Sequence, residues 1–282
     1  MNDKFQSYLP KNFKFKCITY KKDEFKSIIT INREKKLNCL NLETINELTM
    51  AFKDSAWDDN IAVIILTGTG RRAFSTGADL DEQQKYFLGN PNDYYKWMYE
   101  FIQLHEVMRN VGKPTIARLN GMVVGGGNEL NMSCDLAIAA DNIIIRQVGA
   151  ARGSVAAAGA TQFLPLLVGD RRAREILFLC EEIPATKALE WGLVNQVVPY
   201  ELLDEAVNIM AEKLFNKLPE CIRYAKQQLN FWRDLSWHTT IGHARDWLSI
   251  HNLSDEVSEG ISAFNEKRKI NYKKIRQPKK KK

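Results

Sequence analysis

Cysteine is sparse and unpatterned in this 282-residue chain: Cys17, Cys39, Cys134, Cys180 and Cys221 are odd in number and never fall in C-x-x-C spacing. That argues against a disulfide framework or a thiolate metal cluster and reads as reduced packing residues. Histidine is scarcer still, and His105, His238, His243 and His251 lie outside any H-E-x-x-H arrangement, so no metal is expected. No apolar run approaches the roughly 20 residues that span a bilayer, and residues 1–10 lack the apolar core of a signal peptide. Neither a solenoid-period repeat nor a low-complexity segment is present apart from a basic C-terminus. The expectation is a cytoplasmic protein without membrane contact.

What is present is ample apolar material, 45% of the residues, enough for one sizeable core. The net charge of +6 invites a nucleic-acid reading, but ten Lys or Arg and no acid fall within 267–282, leaving the remaining chain at −4. A basic run of that kind reads as a solvated end, and a nucleic-acid partner is not expected.

Short Ile/Val-rich runs alternate with amphipathic stretches through the first two thirds, which predicts an α/β fold. Strands are expected at 27–31, 62–67, 115–119, 136–140 and 143–147, and helices at 42–54, 94–110, 126–134 and 159–168. Paired strands before a helix suggest a repeating ββα unit. Beyond Arg171 helical periodicity dominates, with helices expected at 171–180, 201–218, 220–229 and 254–267. Trp232, Trp237 and Trp247 suggest packing surface there, against a second subunit.

Two glycine-rich segments stand out. Gly68-Thr-Gly-Arg-Arg-Ala73 fits G-x-G-x-x-A, but a dinucleotide fingerprint must open a long helix, and here the chain continues Phe74-Ser-Thr-Gly-Ala-Asp79 first. It reads as a surface turn. Gly121-Met-Val-Val-Gly-Gly-Gly-Asn-Glu-Leu130 lies between an expected strand and an expected helix. Close backbone approach explains such clusters, and so does a helix N-terminus whose free N–H groups meet an anion. Thioester chemistry needs the second arrangement, because charge develops on the carbonyl oxygen, and a second turn at Ser75-Thr-Gly-Ala78 offers a further donor.

Phe74-Ser-Thr-Gly-Ala-Asp-Leu80, Gly121-x3-Gly-Gly-Gly-Asn-Glu-Leu130 and Cys134-Asp-Leu-Ala-Ile-Ala139 together resemble the crotonase, or enoyl-CoA hydratase/isomerase, superfamily; Ala185-x-Lys-Ala-Leu-x2-Gly-Leu-Val194 and Ala263-Phe-x-Glu-Lys-Arg268 extend the match. The resemblance implies a crotonase-type α/β spiral of ββα units over residues 1–195, a helical C-terminal trimerisation region over 196–268, and a basic tail over 269–282. It implies homotrimers or hexamers, a coenzyme A thioester as substrate and no permanently bound cofactor. The oxyanion-hole donors would be the N–H groups of Thr76 and Gly126. Acyl-CoA would lie against Cys39, Ala78, Asp79 and Leu80, under a loop carrying Tyr86, with Tyr94 and Tyr95 as further candidates. Phe264 and Lys267 would reach a neighbour's coenzyme, although Lys267 equally begins the solvated tail.

Glu129 falls one helical turn beyond Gly126, on the same face. Taken alone it reads as a solvated first-turn glutamate; the resemblance makes it one of the two catalytic glutamates of simple hydratases. The other would stand at Gly149, where no acid exists. Gln147-Val-Gly-Ala-Ala-Arg-Gly-Ser154 resembles instead the branch of dihydroxynaphthoyl-CoA synthases and 6-oxocyclohex-1-ene-1-carbonyl-CoA hydrolases. That branch places an aspartate where this chain has Ala156 or Ala157. Ser154 is a candidate for bonding a substrate carbonyl or for capping a helix. The expected activity is hydration, with or without ring opening, of a cyclic or branched enoyl-CoA; the alternatives are an enoyl-CoA isomerase and a non-catalytic acyl-CoA-binding protein.

Overall fold

A computed structural model describes residues 7–276; the terminal residues 1–6 and 277–282, with the last lysines of the basic tail, lie outside the described residues. The chain opens with β1 (Ile18–Asp23), β2 (Lys26–Ile31) and α1 (Leu42–Trp57). There follow β3 (Val63–Gly68), β4 (Ala73–Ser75), a short α2 (Leu80–Glu82) running into a π-helical turn (Gln83–Phe87), and α3 (Pro91–Asn110). Next come β5 (Thr115–Leu119), β6 (Met122–Val124), α4 (Gly126–Ser133), β7 (Leu136–Ala140) and β8 (Ile144–Arg146). After these lie α5 (Ala160–Val168), α6 (Asp170–Leu179), β9 (Ile183–Pro184), α7 (Ala185–Glu190) and β10 (Gln196–Val198). The C-terminal part is α8 (Leu203–Phe215), α9 (Pro219–His251), α10 (Asp255–Asn265) and α11 (Tyr272–Arg276).

The strands form two sheets, of order β1-β2-β3-β5-β7-β10 and β4-β6-β8-β9. β1 and β2 pair within the large sheet, but the three following pairs are split between the two: β3, β5 and β7 enter the large sheet, and β4, β6 and β8 the small one. That splitting winds the ββα units into a spiral. β3 reads Val-Ile-Ile-Leu-Thr-Gly and is buried at every residue, the unbroken apolar pattern of a parallel strand covered on both faces. The Gly68–Ala73 segment joins β3 to β4, and no helix begins until Leu80, so the chain does not present a dinucleotide fingerprint there.

The predicted strands and the helices of the first two thirds stand within a few residues of their expected bounds. Missing from the prediction are β1 and the short β4, β6, β9 and β10, the last four being only two or three residues long and so without readable periodicity. β10 pairs with β7 in the large sheet, so the sheet core runs three residues past the expected boundary at 195. The expected helix 201–218 begins as a 3-10 turn (Tyr200–Leu202) and ends at Phe215, and 272–276 is helical where a solvated end was expected.

The largest departure is α9, one helix of 33 residues where the pattern predicts 220–229. Its buried face is mostly polar, with Lys226, Asn230 and Asp234 beside Trp237, while Leu229, Phe231 and Trp232 are exposed. Apolar periodicity therefore points away from the core and misreports the helix. Trp237 is fully buried, a core residue rather than subunit surface, whereas Trp232 and Trp247 are exposed. The polar face is satisfied by charge: Arg109 of α3, fully buried, lies 3.1 Å from Asp234, with its guanidinium 4.0 Å from the Trp237 ring. Lys226 lies 2.8 Å from Asp135 and also donates to the Lys113 carbonyl. Among the described residues no helix is long and apolar enough to cross a membrane.

Candidate active site

In the small sheet β4 pairs parallel with β6, and β6 parallel with β8. Three chain segments therefore leave the carboxyl ends of neighbouring strands side by side: the turn after Ser75, the Gly125–Gly127 turn, and the loop from Gln147. Ligands gather at such strand ends in α/β folds.

The first turn depends on Gly77, whose φ is +81°; a Cβ there would stand 2.8 Å from the Gly126 nitrogen. The turn is tied to the 38–40 segment, since Leu40 N–H donates to the Gly77 carbonyl (2.8 Å) and Asp79 N–H to the Leu40 carbonyl (3.0 Å). The second turn opens α4, and Gly127 lets that helix sit directly against β4: a Cβ would fall 2.2 Å from the Ser75 carbonyl oxygen. Among the described residues neither Thr76 N–H nor Gly126 N–H meets a backbone acceptor. Two abutting turns thus leave two unfilled donors on one cavity, and one donor stands at a helix N-terminus.

That cavity measures about 500 Å³. Cys39, Thr76, Ala78, Asp79, Leu80, Gly126, Glu129, Ser154 and Phe264 line it. Glu129 is only 4% exposed, so the solvated-glutamate reading does not hold. Burial pushes its carboxyl up to about 8, against the opposing hydrogen bond of the Ala157 backbone. Asp79 has other duties. One oxygen accepts from Asp81 and Glu82 N–H and caps α2, and the other meets Arg33 at 2.7 Å. Burial alone would raise it, but the Arg33 and backbone bonds prevail and hold it below the usual range. Arg33 also donates to the Cys39 sulfur (3.2 Å) and carbonyl, while burial pushes that thiol up to about 12.

Tyr86 is 55% exposed and outside the cavity, its ring flanked by Phe87 and Lys85. The π-helical turn carries it outward, which periodicity had no means of showing. Lys267 is also exposed and outside this chain's own cavity. Tyr94 is the tyrosine that lines it. Tyr94, Trp97 and Phe101 stand at i, i+3 and i+7 of α3 and stack in succession, with centroids 6.0 and 5.3 Å apart; that spacing was legible in the sequence. Tyr94 stands close enough to Glu129 to feel its charge. Burial first, then that charge, push the phenol up to about 12. His251 and Asn252, at the C-terminal end of α9, also line the cavity and carried no sequence signal.

The loop leaving β8 folds back on itself, with Ser154 N–H donating to the Gly149 carbonyl at 2.9 Å. A Cβ at Gly149 would lie 2.9 Å from the Ser154 carbonyl oxygen and 3.0 Å from the Ala156 nitrogen. The fold thus gives position 149 no room for the absent carboxylate. Lys35, Lys36, Arg146 and Arg152 also border the cavity, and the Arg152 guanidinium stands 5.1 Å from the Phe264 ring. Among the described residues no cluster of His, Cys, Asp or Glu suits a metal.

Comparison with known proteins agrees with this fold. The enoyl-CoA hydratase/isomerase family model matches residues 26–276. A 6-oxocyclohex-1-ene-1-carbonyl-CoA hydrolase of Geobacter metallireducens is 29% identical, over 88% of this chain and 80% of its own. That alignment spans 304 positions, more than the 282 residues present, so the relative carries inserted residues. An enoyl-CoA hydratase crystal structure from Bacillus anthracis superposes with a TM-score of 0.74 at 32% identity, over 92% of this chain and 99% of that one. Another from Mycobacterium avium subsp. paratuberculosis reaches 0.83 at 24% identity, over 91% and 98%, and shares the fold. With its spiral of ββα units, its helical C-terminal region and a family match over most of its length, the chain belongs to the enoyl-CoA hydratase/isomerase family of the crotonase superfamily.

Proposed function

We propose that this protein hydrates a cyclic or branched enoyl-CoA thioester, with Glu129 as the proton-transfer group and the Thr76 and Gly126 N–H groups as the oxyanion hole. The observation that carries the reading is the convergence of two unfilled backbone donors with one buried carboxyl on a single cavity. The thioester oxygen accepts from both donors, which stabilises the enolate as charge develops. Ionised Glu129 takes a proton from water while the oxygen adds to the β-carbon. The protonated carboxyl then returns that proton to the α-carbon, so one water is added and one carboxyl suffices. Lys35, Lys36, Arg146 and Arg152 suit the phosphates of the coenzyme, and the exposed Leu229, Phe231 and Trp232 of α9 suit a homotrimer or pair of trimers.

The name of the Geobacter relative supports ring opening by a second water as an extension of the same chemistry. The absence of any acid at Gly149 favours one further reading, an isomerase that moves a proton between carbons with Glu129 alone. An assay of linear and alicyclic enoyl-CoA esters with product mass measurement tests these readings. A gain of one water is expected, and a gain of two marks ring opening. No mass change, with deuterium from heavy water entering the acyl chain, replaces hydration by isomerisation. Binding without turnover across the panel leaves a non-catalytic acyl-CoA-binding protein.

A further inference from the structure

The Gly68–Ala73 turn, which opens no helix, has another use in this fold. A Cβ on Gly68 would stand 2.3 Å from the Phe74 carbonyl oxygen and 2.7 Å from the amide nitrogen of Asn38. The missing side chain leaves room for that asparagine, which is 1% exposed and comes from the segment between β2 and α1. Its amide nitrogen donates to the Thr69 carbonyl at 3.0 Å and to the Ala73 carbonyl at 2.7 Å, and its amide oxygen accepts from Arg33 N–H at 3.0 Å. Both donor hydrogens and the oxygen are thereby engaged. Asn38 N–H also donates to the Arg33 carbonyl at 3.0 Å, which closes residues 33–38 into a compact loop.

Leu37 and Asn38 are consecutive non-glycine residues in the left-handed region, with φ of +51° and +54°. Asparagine tolerates that region and leucine does so poorly; such strain persists only where neighbouring contacts impose it, and it gathers at functional sites. Here the pair lays the following residues along the first turn of the candidate site. The Thr76 hydroxyl donates to the Leu37 carbonyl at 3.2 Å, Leu40 N–H to the Gly77 carbonyl and Asp79 N–H to the Leu40 carbonyl. Asn38 therefore grips the start of β4 with its side chain while its neighbours grip residues 76–79. Leu37, Cys39 and Thr76 line the cavity. Asn120 donates to the same Ala73 carbonyl at 3.3 Å, so that oxygen keeps a partner when the Asn38 amide is removed.

Resting on the assignment of Thr76 N–H as an oxyanion donor, we propose that Asn38 is a positioning residue for that donor. Its amide locks the 33–40 segment to the β3–β4 turn, and the segment in turn fixes where the Thr76 peptide points. Without the amide the two stretches can slide past one another, and a displacement of about 1 Å at a reacting group costs on the order of 10²-fold in rate. The Gly68–Ala73 motif then serves catalysis at one remove, as the seat of the asparagine.

Asn38→Gly tests this, since glycine keeps the left-handed backbone and deletes only the amide. Thr76→Val deletes the hydroxyl bond to Leu37 but keeps the backbone N–H, and Thr76→Ser restores the hydroxyl. Turnover and thioester affinity are measured on an enoyl-CoA that wild type converts, together with urea denaturation and amide hydrogen exchange. Asn38→Gly is expected to lose about 10²-fold in kcat and Thr76→Val about 10-fold, with affinity held within about 3-fold, and Thr76→Ser to recover most of the valine loss. The Leu40 and Asp79 amides should exchange at least about 10-fold faster in Asn38→Gly while those of β5 keep their protection. Lowered stability with kcat of the folded protein unchanged overturns the proposal, because a merely structural asparagine acts on stability alone. Unchanged exchange at Leu40 and Asp79 overturns it as well. If Asn38→Gly does not fold, equal kcat in Thr76→Val and Thr76→Ser overturns it. If wild type converts no enoyl-CoA, the acyl-CoA reading falls and takes the catalytic consequence with it, whereas the exchange rates decide separately whether Asn38 holds the turn.

Discussion

Replacing Glu129 by Gln should inactivate the protein and stabilise it at the same time. The carboxyl is 4% exposed, and burial raises it from 4.5 to about 8. Between those values the unfolded chain has lost the proton that the folded protein still holds, so the unfolded state binds fewer protons and stability falls as pH rises. Each pH unit in that window costs about 1.4 kcal/mol, which sums to on the order of 3 kcal/mol at pH 7 and 5 kcal/mol once the folded group is ionised. Glutamine keeps the shape and an acceptor for the Ala157 N–H but never ionises. Its stability relative to wild type should therefore be near zero around pH 4.5, grow through neutrality, and level off above pH 8. Urea denaturation of both proteins at five pH values from 4.5 to 9 measures the difference. Turnover of any enoyl-CoA substrate should drop by about 10²–10⁴, the range for loss of a proton-transfer group, with thioester binding intact. A difference in stability that is flat with pH, or a variant with full activity, would refute both the buried-carboxyl argument and the role.

In wild type, kcat/KM should rise with pH and plateau above about 8, because the reaction begins from the ionised base; a bell centred near pH 5 in the pH–rate profile would contradict this. Gly77→Ala forces a side chain into φ +81° and against the Gly126 nitrogen. It should cost about 1–2 kcal/mol of stability and, by spoiling an oxyanion donor, about 10²–10³ in kcat, read from denaturation curves and steady-state kinetics. Gly149→Glu restores the residue type of simple hydratases but must displace backbone at 2.9 Å, so hydration of a linear enoyl-CoA should not increase, as a direct assay will show. Asp234→Ala leaves the buried Arg109 with Glu106 as its remaining carboxylate partner and should destabilise by about 2–3 kcal/mol, below the cost of a fully uncompensated buried charge, whereas the double change Arg109→Met with Asp234→Leu should recover most of that loss in the same denaturation measurement.

The sequence by itself determined the parallel core and marked the turns at which a site is proposed. Runs such as Val-Ile-Ile-Leu in β3 have one stable use, burial on both faces of a sheet. Gly77 and Gly125–Gly127 mark places where backbone must turn or touch, and their order along the chain carried the family likeness. Helical spacing put Glu129 one turn from Gly126, but only the family likeness singled it out from a solvated first-turn glutamate. What only the tertiary structure decided is how distant segments meet. Polar Lys226, Asn230 and Asp234 are buried because Asp135, Asn110-flanking Arg109 and the Lys113 carbonyl wait for them across the chain, and no local pattern encodes those partners. Tyr94 rather than Tyr86 faces the cavity because Tyr86 sits in a π-helical turn that ends at Phe87, and the chain breaks over 88–90 before α3 starts in a new phase. The crowding that closes position 149 comes from the loop after β8 folding back on itself, and Glu129 is buried where Ala157 of that loop and Tyr94 of α3 approach it; burial and steric room are properties of packed neighbours, and a residue's own identity does not contain them.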